Sequence, residues 1–226
     1  MLNIKGLKLQ VSCKNKKNGC QDTFSENALE DHERGCIFRV VPCPLTAILE
    51  CKAKVLVQNV MQHFEDTHFK MGSLSSDKNE PRFESFTEYG FQGDDCYLLP
   101  LKFEIDGKGF IFTGKIKDKI HYRWVYIIGS PEEAKHFTFV CKLFGKNASA
   151  ASNLFEAKVA AIDESFDALM EAGKCFTIAH RAFVAQFVNK DRKYEYSLDI
   201  RNLKEEVKDE NYESGISDTD EDSKDK

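Results

Sequence analysis

Long apolar runs are missing from this 226-residue chain. The longest, such as Val125–Ile128, fall far short of the roughly 20 residues that span a bilayer as a helix. Residues 1–10 (MLNIKGLKLQ) lack the continuous apolar core of a secretory signal. Both absences point to a cytoplasmic or nuclear protein with reduced thiols and no membrane partner. Tryptophan and proline are scarce, at one and five, whereas phenylalanine reaches eighteen, which predicts a Phe-packed core with few proline loops. A global excess of charge is also lacking. Residues 204–226 hold ten acids and four lysines, net −6, so the whole-chain charge of −5 leaves +1 for the other 203 residues. An even charge balance over the body removes the electrostatic argument for steering nucleic acid.

What the chain does have is cysteine, unevenly spread. Cys13, Cys20, Cys36, Cys43 and Cys51 crowd its first quarter, with His32, His63 and His68 in the same stretch. Five cysteines cannot all pair as disulfides, but five Cys and three His make two tetrahedral zinc sites with no ligand left over. The spacing is Cys13-x6-Cys20-x11-His32-x3-Cys36, then Cys43-x7-Cys51-x11-His63-x4-His68. In each quartet a cysteine pair sits on a turn and a second ligand pair follows at near-helical spacing. Asn18-Gly19 favours a tight hairpin turn that folds Cys20 back on Cys13. Asn27 reads as a helix N-cap with Glu30 three residues on, which puts His32 and Cys36 on one face. Val57–Phe64 reads as helical, and the five-residue step from His63 to His68 predicts that this helix ends or loosens between them. With every position filled by protein, neither site keeps a place for catalytic water, so two structural Zn2+ ions are expected.

The remainder divides by composition. Residues 1–12 form a short N-terminal segment, 13–70 the ligand-dense segment, 71–90 a polar linker, 91–203 a strand-rich domain, and 204–226 an acidic tail with almost no aliphatics, expected to be disordered. Strands are predicted at Tyr97–Ile105, Phe110–Lys115, Tyr122–Ile128, Phe137–Phe144, Leu154–Ala160, Lys174–Ile178, Phe183–Val188 and Tyr194–Ile200. Turn signals lie at Asp106-Gly107, Gly129-Ser130-Pro131 and Gly145-Lys146-Asn147. That number and spacing of strands predicts an antiparallel sandwich. One helix is expected over Asp163–Ala172, with Asp163 as N-cap and Gly173 at its stop.

The residues CKNKKNGC…HERGC…VPCP…C…HFEDTH resemble the double zinc finger of the seven-in-absentia (SIAH-type) ubiquitin ligases. Trp124–Ala134 (WVYIIGSPEEA) and Leu154–Ala157 (LFEA) are similar to segments of the TRAF-like β-sandwich that follows the fingers in that family, so the resemblance spans roughly residues 13–203. It implies a small zinc-stapled α+β double finger followed by an all-β TRAF-like sandwich that binds degradation targets and dimerises. The family's RING domain, which recruits the ubiquitin-conjugating enzyme, has no counterpart here, since only residues 1–12 precede Cys13. The resemblance therefore leaves two readings: a piece of a longer ligase whose RING lies outside the given sequence, or a RING-less member that recognises targets without ligase chemistry of its own. Such a chain forms a homodimer or pairs with RING-bearing relatives, and meets the conjugating enzyme only through such a partner. The alternative is an adaptor or competitor that binds protein targets with no ligase role.

Strand addition is the expected binding mode, along an edge strand near Tyr97, Leu99, Leu101 and Phe103, where Pro100 removes a ladder donor and suits an edge. Two competing readings are weaker. Residues 13–70 carry eight basic and eight acidic side chains, whereas a phosphate-tracking finger is basic. Cys141 with His136, or Cys175 with His180, fits a nucleophile–base pair only if both side chains share a face, and a spacing of five on one strand puts them on opposite faces. Trp124 reads as core, the Lys115, Lys117 and Lys119 series as a solvated strand end, and the acid-flanked Ser217 and Thr219 as part of a solubilising tail.

Overall fold

A computed structural model describes residues 10–46, 51–68, 82–86, 96–147 and 151–204. Its first part is two small metal-finger units. Strands β1 (Gln10–Ser12) and β2 (Thr23–Ser25) pair antiparallel around a 3-10 turn at Lys14–Asn18, and helix α1 (Glu26–Gly35) follows. The second unit repeats the plan with β3 (Val40–Pro42) paired to β4 (Lys54–Leu56), a 3-10 turn at Val57–Asn59 and helix α2 (Val60–His68).

The larger body consists of two sheets. One has the order β10-β9-β13-β5, with β5 at Arg82–Phe86, β9 at Phe137–Leu143, β10 at Asn153–Lys158 and β13 at Lys193–Asn202, all antiparallel. The other runs β11-β8-β7-β6, with β6 at Cys96–Ile105, β7 at Lys108–Lys117, β8 at Ile120–Ile127 and β11 at Ala160–Ala161; β12 (Phe176–Ala179) also pairs with β8. Among the described strands, only the short β11–β8 pair is parallel. Helices α3 (Pro131–Ala134), α4 (Phe166–Glu171) and α5 (His180–Phe187) fill the connections. None of the described helices is long and apolar enough to cross a membrane.

Between the sheets lies a Phe-rich core: Phe110, Phe112, Phe137, Phe139, Phe176, Phe183 and Phe187 are buried there with Val125, Ile127, Tyr194 and Tyr196. The outer face of the β7–β8 pair is buried as well. Ile111, Tyr122, Trp124 and Tyr126 pack against Val41, Leu45, Val57, Val60 and Phe64 of the second finger and Leu169 of α4. Cover on both faces explains why the second half of β8, Trp124–Ile127, is continuously apolar rather than alternating.

Several expectations need correction. Phe183–Val188 is not a strand but most of α5: Phe183 and Phe187, four residues apart, are the buried pair, while Arg181, Val184 and Gln186 are exposed, a 3.6-residue period hidden in a short apolar run. Leu154–Ala160 is two strands, because the chain leaves one sheet after Lys158 and joins the other at Ala160. The stretch expected as linker contains β5, which pairs with β13 more than 100 residues away, a partnership without local sequence signal. Helix α4 starts at Phe166, and Ser165 caps it by accepting from the Ala168 N–H at 3.2 Å. Asp163 instead pairs with Arg39 at 3.5 Å. The tail expectation for residues 205–226 lies outside the described residues.

Candidate metal centres

The first centre is assembled by the β1–β2 unit and α1. Cys13 follows β1, and Gly19, at φ 117°, ends the 3-10 turn in the left-handed conformation open to glycine, so that Cys20 returns beside Cys13. The turn is thus a 3-10 turn, not a two-residue hairpin. Helix α1 begins after Ser25 rather than at Asn27, because β2 holds Ser25 extended in the pair with β1. His32 and Cys36 then stand four residues apart at the helix end. The second centre takes Cys43 and Cys51 from the β3–β4 connection and His63 and His68 from α2. Contrary to expectation the helix continues through His68. The two imidazoles span the angular gap by presenting their far nitrogens, with ring centroids 5.0 Å apart and planes at 85°.

Within each quartet the four ligand atoms lie within 4.8 Å of one another. In the first, Cys13 Sγ and Cys36 Sγ are 3.9 Å apart and Cys20 Sγ is 3.4 Å from His32 Nε2. In the second, Cys43 Sγ is 3.5 Å from His68 Nε2, Cys51 Sγ is 3.6 Å from His63 Nε2, and the two Nε2 atoms are 3.2 Å apart. A tetrahedron with metal–sulfur bonds of about 2.3 Å and metal–nitrogen bonds of about 2.0–2.1 Å has S···S edges of about 3.8 Å, S···N of about 3.6 Å and N···N of about 3.3 Å. The observed separations follow those edges closely, so the donor atoms surround a point that zinc fits. Two clusters of Cys3His and Cys2His2 composition are consistent with two zinc ions. Four protein ligands close each site to water, and this defines a structural rather than a catalytic metal class.

Further residues, not singled out by the sequence pattern, support the ligands. The backbone N–H of the buried Asn15 donates to Cys13 Sγ at 3.4 Å, and its side-chain amide does so at 3.6 Å. The Thr46 hydroxyl lies 2.6 Å from the Cys43 carbonyl and 2.8 Å from that of Cys51. Thr67 Oγ1 stands 3.3 Å from His63 Nδ1, the ring nitrogen away from the metal position. His32 stacks on Phe24 at 4.1 Å. Burial pushes the Cys43 thiol up to about 12, so the thiolate that zinc needs is disfavoured in the absence of the metal.

Residues 6–79 match the Sina zinc finger family, a span that contains all eight ligands. No curated protein matches the chain.

The other candidate residues are dispersed. β6 is an edge strand of its sheet, with a register shift between Leu98 and Leu101 around Pro100. Leu101 and Phe103 pack inward against the main core, and the side chains of Tyr97 and Leu99 lie outside the described residues. Cys141 is buried in β9, where burial pushes its thiol up to about 11; the half-buried Cys175 is pushed up to about 12 by burial too. His180 Nδ1 lies 2.8 Å from His121 Nε2. Trp124 is core, and the Lys115 ammonium lies 3.5 Å above the Phe166 ring.

Proposed function

We propose that the chain is a zinc-stapled recognition and dimerisation component of ubiquitin-dependent protein degradation, of the seven-in-absentia type, with its two-sheet body a TRAF-like sandwich. The observation that carries this reading is the Sina zinc finger match over 6–79 around two closed quartets, followed directly by a mostly antiparallel body. Closed metal sites do no chemistry, and β6 ends its sheet among the described strands, so the function that fits is binding. In this reading an extended segment of a target pairs with the outer backbone edge of β6, the last of the described strands in its sheet. The inward packing of Leu101 and Phe103 leaves main-chain hydrogen bonds as the shared part of recognition. The ubiquitin-conjugating enzyme is met through a RING-bearing partner, in the cytoplasm or nucleus.

Mixed charge supports protein rather than nucleic acid as the partner. The cleft between the first finger and the body is lined by Lys14, Lys17, Arg34 and Arg39 but also by Glu33 and Asp163. Lys14–Glu33 at 3.0 Å and Arg39–Asp163 at 3.5 Å neutralise two of its cations, which leaves no basic stripe.

Reconstituted ubiquitination tests the proposal. The chain with activating and conjugating enzymes is expected to form no ubiquitin chains. Added to a RING-bearing seven-in-absentia ligase, it is expected to co-purify with that ligase and alter target ubiquitination. Robust ubiquitin-chain formation by the protein alone contradicts the proposal, as does failure to associate with itself or with the ligase.

A further inference from the structure

The two quartets are alike in plan but not in surroundings. Around the first, the buried apolar cluster is local: Cys13, Cys20 and Cys36, with Leu29 and Phe38 packed against them. Among the described residues its ties to the body are few. Arg39 donates to the Gly129 carbonyl at 2.7 Å and pairs with Asp163, and Gly35 approaches Ser130 closely enough that an added Cβ would lie 3.1 Å from the serine Cβ.

Around the second, the described residues form no separate local cluster. Cys43 itself, with Val41, Leu45, Val57, Val60 and Phe64, belongs to one continuous core with Ile111, Tyr122, Trp124 and Tyr126 of the body. Leu45 and Val60 are fully buried there. The helix turn that presents His63 also presents Phe64, whose ring lies 5.4 Å from that of His68. Glu65 of the same helix pairs with Lys102 of β6, and Met61 packs over Gly109 at the start of β7.

We infer that the two metal ions have different structural reach. Metal at Cys43, Cys51, His63 and His68 holds the outer face of the five-stranded sheet closed, whereas metal at Cys13, Cys20, His32 and Cys36 holds only its own finger. The physical ground is that a segment this small folds on its metal, since ordering so few residues is not offset by its own apolar burial. When α2 and the β3–β4 unit lose their metal, the apolar cover of Ile111, Trp124 and Tyr126 goes with them. When the first finger loses its metal, the exposed surface is chiefly its own. This inference is independent of any role in ubiquitin transfer.

Trp124, the only tryptophan and 2% exposed in that face, reports the difference directly. In the full-length chain, Cys36→Ser is expected to retain one zinc by native mass spectrometry and to keep the blue-shifted emission of a buried indole. Cys51→Ser is expected to retain one zinc or fewer, with Trp124 emission shifted to the red. A red shift of equal size in Cys36→Ser, or native emission in Cys51→Ser, overturns the inference. A second measurement covers a Cys51→Ser chain that fails to fold. Wild-type protein loaded with cadmium-113 gives distinct resonances for a three-thiolate and a two-thiolate site. During stepwise chelation the emission shift must follow loss of the two-thiolate resonance; tracking the other resonance overturns the inference.

Discussion

Arg123 carries a cation into the centre of the Phe-rich core. It is 2% exposed, and its Nη2 donates to the Tyr194 hydroxyl at 2.6 Å. The guanidinium also lies 5.1–5.9 Å from the ring centroids of Tyr194, Tyr196, Phe112 and Phe183. Ring faces offer partial compensation to a desolvated cation, so the phenol oxygen is the acceptor that matters most. Tyr194→Phe removes it without opening a cavity and is expected to lower stability by about 1–3 kcal/mol, read as a reduced urea midpoint. An unchanged midpoint would mean that the rings alone suffice. Two residues away, His121 is fully buried, stacked on Phe183 at 4.3 Å, with His180 and Arg123 beside it. Burial above all, then the charge of Arg123 and the proximity of His180, lowers its pKa from 6.5 to about 3. Between those values the unfolded chain binds a proton that the folded chain refuses, so stability is full above pH 6.5 and is lost as pH falls towards 3. His121→Gln removes this dependence. Between pH 6.5 and 5.5, wild type is expected to lose stability faster than the variant by up to about 1.4 kcal/mol per pH unit, and zinc protonation, common to both, cancels. Parallel pH profiles would contradict the assignment.

Elements differ in how openly the sequence announces them. Ligand pairs are legible because spacing on a turn or a helix is local geometry: Cys13-x6-Cys20 needs only the turn that Gly19 closes, and His32-x3-Cys36 needs only one helical turn. Gly19 is where that geometry is most exposed to test. A methyl group there would meet Phe38 Cε1 at 2.9 Å, and its φ of +117° disfavours any other residue. Gly19→Ala is expected to cost on the order of 1–3 kcal/mol in the first finger, roughly a 5- to 150-fold loss in zinc affinity at that site, measured by chelator competition. Unaltered affinity at both sites would show that the turn tolerates the strain. Where pairing is distant, legibility ends. β5 lies in a polar stretch and its described pairing is with the distant β13, and α5 hides a helical period inside a short run of β-like residues.

At the scale of the whole molecule, the sequence shows two quartets and a strand-rich domain as consecutive segments but not their relation. Docking of the second finger is encoded in residues that look ordinary one at a time: Leu45, Val60 and Phe64 on one side, Ile111, Trp124 and Tyr126 on the other. Each reads as a core residue, and only the folded chain shows that they share one core across more than 60 residues of sequence. In the doubly buried β8 the stretch Trp124–Ile127 is continuously apolar and lacks the alternation of a strand with one wet face, a local sign that something covers the sheet on its outer side. Two closed tetrahedral centres hold the N-terminal units together, and their stoichiometry is the most direct measurement. Native mass spectrometry paired with elemental analysis of the purified chain is expected to find about two zinc ions per polypeptide, with denaturation releasing both. A folded, monodisperse protein with no bound zinc would contradict it.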